Sequence, residues 1–581
     1  VLKALRASLA KWRTPGAGTA ARLETAQALQ RRGEHDAAAK IYDDILAADP
    51  TQFDALLLSA RLEGRRGRLQ LAQARLAAAL ASNPNSARAH ADLGNVLRLA
   101  GDTGGAAASY ETALALDPGL AAAWNNSGLL HLAAGRTAEA GAAFARALQC
   151  EPAFAEALRN LVGAMTKLGQ HVELRAMLES MLARNQDNAE VHAALGFVEL
   201  RHFAAPERAL VQFDRALELG VGHAEFLVNR GIALHDLGRI EEAVASYDAA
   251  LAVDPGYQLA RFHRALARLI EQRFELAWED YEARLVLPVV PPRHFDYPQW
   301  SGEELGGKTL LILAEQGLGD EIMFASCFAE VISRAKRCVI DCSPKLAPIF
   351  MRSFPQAIVH GGTQFDEPAW LAGLPRPDYQ IRAGSLPRLL RSRLSAFPRH
   401  QGYLAADPQK VQSWRSRLAA RGSGLKVGVS WRGGTALSRG GLRSLKLDDL
   451  APILAVPGVH FVSLQYDAGS DEVAAYCARS GQALEYAAAA IDDYDETAAL
   501  VAALDLVVSV CTAVIHLGGA LATPVWIMAP RVPEWRYGIR GESMPWYPGN
   551  RVLRQTAPGD WGGVIERVAV ELAARLRDKS A

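Results

Sequence analysis

Cysteine is scarce: six residues in a chain of 581. That number cannot staple a domain of this size, so a disulfide scaffold is excluded. Cys338 and Cys342 lie close together, but no second pair and no histidine cluster accompanies them, so no metal site is expected and the thiols read as buried core. A reducing, cytoplasmic setting fits this usage. An excess of charge of either sign is also missing. Lys plus Arg equals Asp plus Glu at 63 each, and the pI is near 7.3. Nucleic acid and anionic membranes reward a strongly basic surface, so neither is expected as the main partner. No uninterrupted apolar run reaches the roughly 18 residues of a membrane span. The apolar stretch Leu504–Val510 has the length of a buried strand, and no integral membrane segment is expected. The sequence opens Val-Leu-Lys-Ala-Leu without an apolar segment and cleavage site, so nothing indicates export, although the first residue is not Met.

What is present is a clock. Proline stands at Pro50, Pro84, Pro118 and Pro152, a period of 34, and returns in phase at Pro255. Other residues keep the same time. One unit has Gly94, Gly101, Ala106, Tyr110 and Ala113, and the next has Gly128, Gly135, Ala140, Phe144 and Ala147. Small residues let paired helices approach, the aromatic fills the seam, and the second glycine suits the turn between helices. Earlier units carry Gly33, Ala38 and Tyr42, then Gly67, Ala72 and Leu76. Later units blur before a clean one at Gly231, Gly238, Ala243 and Tyr247, and a last pair with Phe274, Trp278 and Tyr281 caps the stack. These motifs resemble the tetratricopeptide repeat family. The resemblance implies an all-α superhelix of about eight units over residues 1–285, built by stacking, with a protein partner on its surface. Asn95, Asn125, Asn126 and Asn160 are the partner-binding candidates, since amides on the first helices can bond an extended backbone. Capping or solvating the stack is the other reading of the same residues.

Between Leu285 and Trp300 the helical period stops and Pro288, Pro291, Pro292 and Pro298 mark a connector, residues 286–305. A cut there is expected to give two separately folding pieces. Beyond it the grammar is strand, glycine-rich turn, helix. Lys308–Ala314 reads as a central strand entering Glu315-Gln-Gly-Leu-Gly-Asp-Glu-Ile322, then a helix over Met323–Ala335. Neither G-x-G-x-x-G nor a Walker A loop is present, so neither a dinucleotide fingerprint nor a P-loop is indicated. Further strands are expected at Cys338–Cys342, Lys426–Trp431, Phe461–Gln465, Leu504–Val510 and Thr523–Ala529. From Trp300 onward, Gly317-Leu-Gly-Asp-Glu321, Ser430-Trp-Arg-Gly-Gly434 and Ser509–Ala520 with Pro524-Val-Trp526 resemble the GT-B glycosyltransferases of the heptosyltransferase class, and more closely its repeat-fused bacterial members. That resemblance implies an α/β GT-B fold of two Rossmann-like domains: an acceptor-side domain at 306–410, and a nucleotide-sugar domain with a closing helix at 411–581.

Sugar transfer needs a group to take the acceptor proton and groups to hold the leaving phosphate. Asp320 falls at a strand-to-helix turn, where the resemblance places the general base, and Glu321 is the spare carboxylate. A helix-capping aspartate is the plain alternative. Thr512 and Ala513 fall at a helix N-terminus suited to a phosphate, with His516 one turn on as a further donor or as a structural residue. Arg432, with Ser430, Gly433 and Gly434, follows a strand and suits a diphosphate or sugar carboxylate, and Gln465 and Tyr466 line the same expected donor pocket. Cys511 departs from the polar residue the resemblance leads one to expect there. Trp535, Arg536, Tyr537, Trp546 and Tyr547 form an aromatic loop that either stacks a ligand or packs as a lid.

The function expected is protein O-glycosylation without a cofactor: a sugar moves from a nucleotide-sugar co-substrate to Ser or Thr of a protein held by the repeats. The resemblance to flagellin glycosyltransferases implies flagellin as acceptor and a CMP-linked nonulosonic acid as donor. The alternatives are a non-catalytic adaptor that keeps the fold, a reading raised by Cys511, and a heptosyltransferase of the cell envelope.

Overall fold

The computed structural model describes residues 18–220, 222–287, 295–363, 368–434, 440–467 and 469–580. Pro288, Pro291 and Pro292 of the connector, and Thr435, lie outside them. The chain divides into two compact units, Val1–Val221 and Gly222–Ala581. The N-terminal region is an all-helical tetratricopeptide array, and the C-terminal region is built of parallel sheets and helices.

The described residues contain eight helix pairs. First helices begin at Thr19, Phe53, Ala87, Ala121, Ala155, Ala189, Ala224 and Gln258, and their partners at His35, Leu69, Thr103, Thr137, His171, Pro206, Ile240 and Phe274. Six pairs belong to the first unit and two to the second. The periodic prolines act one step before the helices. Asp49, Asp117 and Glu151 each end a helix in an extended conformation and Asn83 ends one at φ −142° and ψ 85°, because the proline that follows disfavours the helical region for the residue before it. The turn inside each pair is left-handed, with Gly33, Gly67, Gly101, Gly135, Gly169 and Gly238 at φ between +72° and +85°. Where the repeat diverges, Ala204 and Gln272 take up the left-handed turn without glycine.

The first-helix glycines mark closest approach. A Cβ at Gly94 would lie 2.5 Å from Tyr110 Cε1, and one at Gly128 2.5 Å from Phe144 Cε1. Both rings are buried, so the seam has no room for a methyl group. Gly128→Ala is expected to destabilise the array by about 1–3 kcal/mol, the cost of overpacking a filled core, measured as a lower denaturant midpoint at unchanged slope.

Among the described residues, ten parallel strands form two sheets in the second unit. The first has the order β3-β2-β1-β4, from β1 (Thr309–Leu313), β2 (Arg337–Cys342), β3 (Ile358–Gly361) and β4 (Tyr379–Arg382). The second has the order β10-β9-β8-β5-β6-β7, from β5 (Leu425–Ser430), β6 (Val459–Ser463), β7 (Leu484–Tyr486), β8 (Leu506–Val510), β9 (Val525–Ala529) and β10 (Arg551–Arg554). That is the doubly wound order, with the strand sequence reversing between β5 and β8. β1, β5, β8 and β9 are buried along their whole length, as parallel strands covered on both faces must be. The closing helix Gly562–Ser580 packs on the core of its own sheet through Val564, Ile565, Val568 and Leu572.

Two expected breaks run through regular structure. The helix Pro408–Ala419 crosses residue 410 and packs on the helix Tyr494–Ala503, while a 3-10 turn, Glu282–Val286, crosses residue 285. The last repeat is also fastened to the α/β region. Trp278 Nε1 donates to Arg391 O at 2.8 Å, and Ile539 N–H donates to Ile270 O at 3.0 Å. The expectation that a cut in the connector frees two intact pieces is therefore corrected: it would leave buried partners on both sides.

Candidate functional site

The carboxyl end of β1 carries Glu315 and Gln316, and a helix begins immediately at Leu318 (Leu318–Ala325). The expected helix over Met323–Ala335 thus starts five residues early and breaks before a second one, Phe328–Arg334. Asp320 and Glu321 consequently sit in a first helical turn, and no side chain caps that helix. Asp320 instead accepts from Arg536, through Nε at 2.6 Å and through Nη2. Arg536 sits in the loop after β9 with its guanidinium over the Trp535 ring. Burial pulls the Arg536 pKa down, but Asp320 and neighbouring acidic groups more than reverse this and leave it raised. Glu321 faces elsewhere, with Oε2 accepting from Ser343 N–H at 2.9 Å beyond β2.

The other half of the site is the helix Ala513–Ala520, which follows β8 with Thr512 as its N-cap. It packs against the Leu318–Ala325 helix. A Cβ on Gly319 would lie 3.0 Å from His516 Cδ2 and 3.3 Å from Ala513 Cα, and one on Gly433 would lie 2.7 Å from Cys511 O and Thr512 Cγ2. Glycine backbone therefore closes over Thr512 and Ala513 from two sides. The Thr512 hydroxyl is within hydrogen-bond distance of Ser509 Oγ, 3.1 Å.

His516, expected as a further donor or as a structural residue, is engaged within the protein. It is buried, with Nδ1 3.2 Å from Tyr547 OH and Nε2 3.4 Å from Tyr537 OH. Burial first, then the charges of Arg536 and Arg443, lower its pKa to about 3, so the ring is neutral at any ordinary pH. It bridges two tyrosines, the structural alternative raised from the sequence. Cys511 is buried beside it, and burial raises its thiol pKa.

The β5 edge is internally satisfied as well. Arg432 makes a two-pronged ion pair with Glu472, at 2.6 and 2.8 Å, and reaches Asp467 at 3.3 Å. Both of its terminal nitrogens are engaged by carboxylates of the protein itself. Gln465 is fully buried and acts as a latch. Its Oε1 accepts from Ser430 Oγ, Trp431 N–H and Arg432 N–H, while its Nε2 donates to Arg432 O and Asp467. Gly434 takes φ +80° against Arg443, which pairs with Glu534. Tyr466 is 61 % exposed and apart from this cluster. Trp535, Tyr537, Trp546 and Tyr547 are buried, so the aromatic loop packs as a lid. A groove of about 650 Å³ lies away from all these residues, between Leu445–Pro452 and Trp561, Ile565 and Val570.

In the first unit, the asparagines bond one another across successive first helices. Asn126 Nδ2 donates to Asn95 Oδ1 at 2.7 Å, which also accepts from Tyr110 OH. Asn160 Nδ2 donates to Asn125 Oδ1 at 2.9 Å, and Asn125 Nδ2 donates to Glu156. These bonds run within the stack, and Asn95, Asn126 and Asn160 remain half-buried.

Four residues hold the site together through contacts that sequence reasoning missed: Glu315, Arg536, Tyr281 and Arg284. Arg284 pairs with Glu315 at 2.7 and 3.0 Å, and Gln316 Nε2 reaches Tyr281 OH at 2.9 Å. Their separations in sequence, up to 216 residues for Asp320 and Arg536, leave no local signal.

Helix pairs at this spacing joined to parallel sheets define a repeat protein carrying an α/β region, and the comparisons agree on the repeats. The tetratricopeptide repeat models match residues 2–53, 57–121, 92–157, 131–196, 205–258 and 229–287. The chain is 32 % identical over 435 residues to Protein FlbA of Caulobacter vibrioides, covering 71 % of this chain and 72 % of the relative. It belongs to the same family as Protein FlbA. Among solved structures, it is similar to a tetratricopeptide repeat protein from Parabacteroides merdae, 15 % identical over 43 % of this chain and 98 % of that one, with a TM-score of 0.32. It is also similar to Pseudomonas aeruginosa pilF, 22 % identical over 36 % and 96 %, with a TM-score of 0.30. Among the described residues no helix is long and apolar enough to cross a membrane.

Proposed function

We propose that the protein is a glycosyltransferase of GT-B type that moves a sugar from a nucleotide donor to Ser or Thr of a protein held by the repeats. The observation that carries this reading is the meeting of two strand ends. The turn after β1 brings Gly319, the neighbour of Asp320, against the start of the Ala513–Ala520 helix after β8, and open parallel sheets bind their ligands at the carboxyl ends of strands. In the proposed reaction the acceptor oxygen bonds to the anomeric carbon, the bond from that carbon to the phosphate oxygen breaks, and the acceptor proton passes to Asp320. The nucleotide leaves toward the helix terminus at Thr512 and Ala513. Asp320 is paired with Arg536 here, so base action includes opening that pair. Flagellin as acceptor, a CMP-linked nonulosonic acid as donor and action in the cytoplasm before export rest on the resemblance of the sequence to flagellin glycosyltransferases.

A non-catalytic adaptor is the second reading. The neutral His516, the pairing of Arg432 with Glu472 and the closed glycine contacts favour it. Calorimetric titration of the full chain with CMP, UDP, GDP and ADP separates the two. The glycosyltransferase reading expects one nucleotide, CMP, to bind and to perturb residues at Thr512–His516. No binding by any of the four supports the adaptor.

A further inference from the structure

The repeat array ends in the helix Phe274–Tyr281 and the 3-10 turn Glu282–Val286, and their side chains land on the turn that carries Asp320. Arg284 donates from Nε and Nη2 to the two oxygens of Glu315, whose Oε1 also accepts from Gly384 N–H at 2.8 Å. Tyr281 OH accepts from Gln316 Nε2 at 2.9 Å. Trp278 and Tyr281 meet Trp535 edge-on, each at 5.8 Å between ring centroids, and Trp535 precedes the arginine that holds Asp320. Gln316 has φ +67°, a backbone conformation that L side chains seldom adopt and that persists when the surroundings over-determine it. The partner of its amide comes from the last repeat. Burial raises the Tyr281 pKa to about 12, so the phenol stays neutral.

We propose that Tyr281 is a positioning residue for Asp320: from the last repeat it holds the Gln316 amide, fixes the left-handed turn and thereby sets where the first helical turn points its carboxylate. The consequence for rate rests on the glycosyl-transfer reading; the consequence for the turn does not. The repeat array then does more than tether an acceptor, because its terminal unit forms one wall of the site.

Tyr281→Phe in the full chain keeps the ring against Trp278 and Trp535 and removes the hydroxyl. The amides of Asp320 and Glu321, which donate to Gly317 O, report the turn by hydrogen exchange. Their exchange is expected to rise about tenfold, the worth of one hydrogen bond, and kcat for transfer to fall about tenfold with an unchanged KM for donor. Gln316→Ala should do the same, and the double variant should be no worse than either single, because both remove one interaction. Arg264→Met, which breaks the pair with Asp280 in the same repeat, should lower Tm without moving those two amides. Unchanged exchange in Tyr281→Phe, or additive effects in the double variant, overturns the proposal. A turn that loosens as expected in a chain that transfers no sugar from any donor supports the positioning and sinks the glycosyltransferase reading.

Discussion

Asp320→Asn is expected to lower the proposed sugar transfer by roughly two to four orders of magnitude, the usual contribution of a positioned acid or base. Asparagine keeps the size of the side chain and one acceptor oxygen for Arg536, but it cannot take a proton from the acceptor hydroxyl. Donor affinity should change little, since Asp320 belongs to the turn after β1 and the proposed nucleotide contacts, Thr512 and Ala513, follow β8. Arg536 would lose an anionic partner in a buried setting, so the thermal midpoint must be measured beside the rate. A rate loss that tracks a falling fraction of folded protein would assign Asp320 to structure alone. Near-normal transfer would move the base elsewhere, and Glu321 is a poor successor because its carboxylate is turned to the Ser343 amide.

The parts of this molecule legible in its sequence are those set by short-range rules. The 34-residue clock located the helix pairs because helix spacing, turn glycine and extended pre-proline residue are all local consequences of backbone sterics. Even the unit at Ala155–Arg184, whose wording blurs, keeps its Gly169 turn at φ +72°. The buried strands β1, β5, β8 and β9 were readable as apolar runs next to glycine-rich turns. β3, β4, β7 and β10 are three or four residues long and only partly buried, so they left no comparable signal. The candidate site divides in the same way. That Asp320 and Thr512 stand at the starts of helices after strands was readable. What saturates each candidate was not, because Arg432 with Glu472, His516 with its two tyrosines and Asp320 with Arg536 are joined by tertiary packing. A polar residue at a strand end states only that a partner is required, and whether a ligand or the protein supplies it depends on residues far away in the chain.

The largest stability loss expected from a single change is at Arg284. Arg284 and Glu315 are both buried, with side chains 6 % and 7 % exposed, and the guanidinium also serves Glu282 and Ser385. Replacing two charges of this kind together by apolar groups is often nearly neutral, because the desolvation cost of both is removed along with their attraction. Removing one is different. Arg284→Met leaves the Glu315 carboxylate buried without its hydrogen-bonded cation, with the Gly384 amide still donating to it, and breaking a buried pair in this way costs about 3–5 kcal/mol. The double variant Arg284→Met/Glu315→Leu should recover most of that loss, and urea unfolding of the full chain with the two singles completes the cycle. Recovery would mean that the last repeat and the β1 turn are joined by a pair whose worth lies in fixing geometry rather than in stability. A double variant as unstable as Arg284→Met would instead assign most of the loss to packing of the arginine stem. Because the pair links the end of the array to the residue before Gln316, loss of transfer in the recovered double variant, with folding intact, would separate the geometric role from the energetic one.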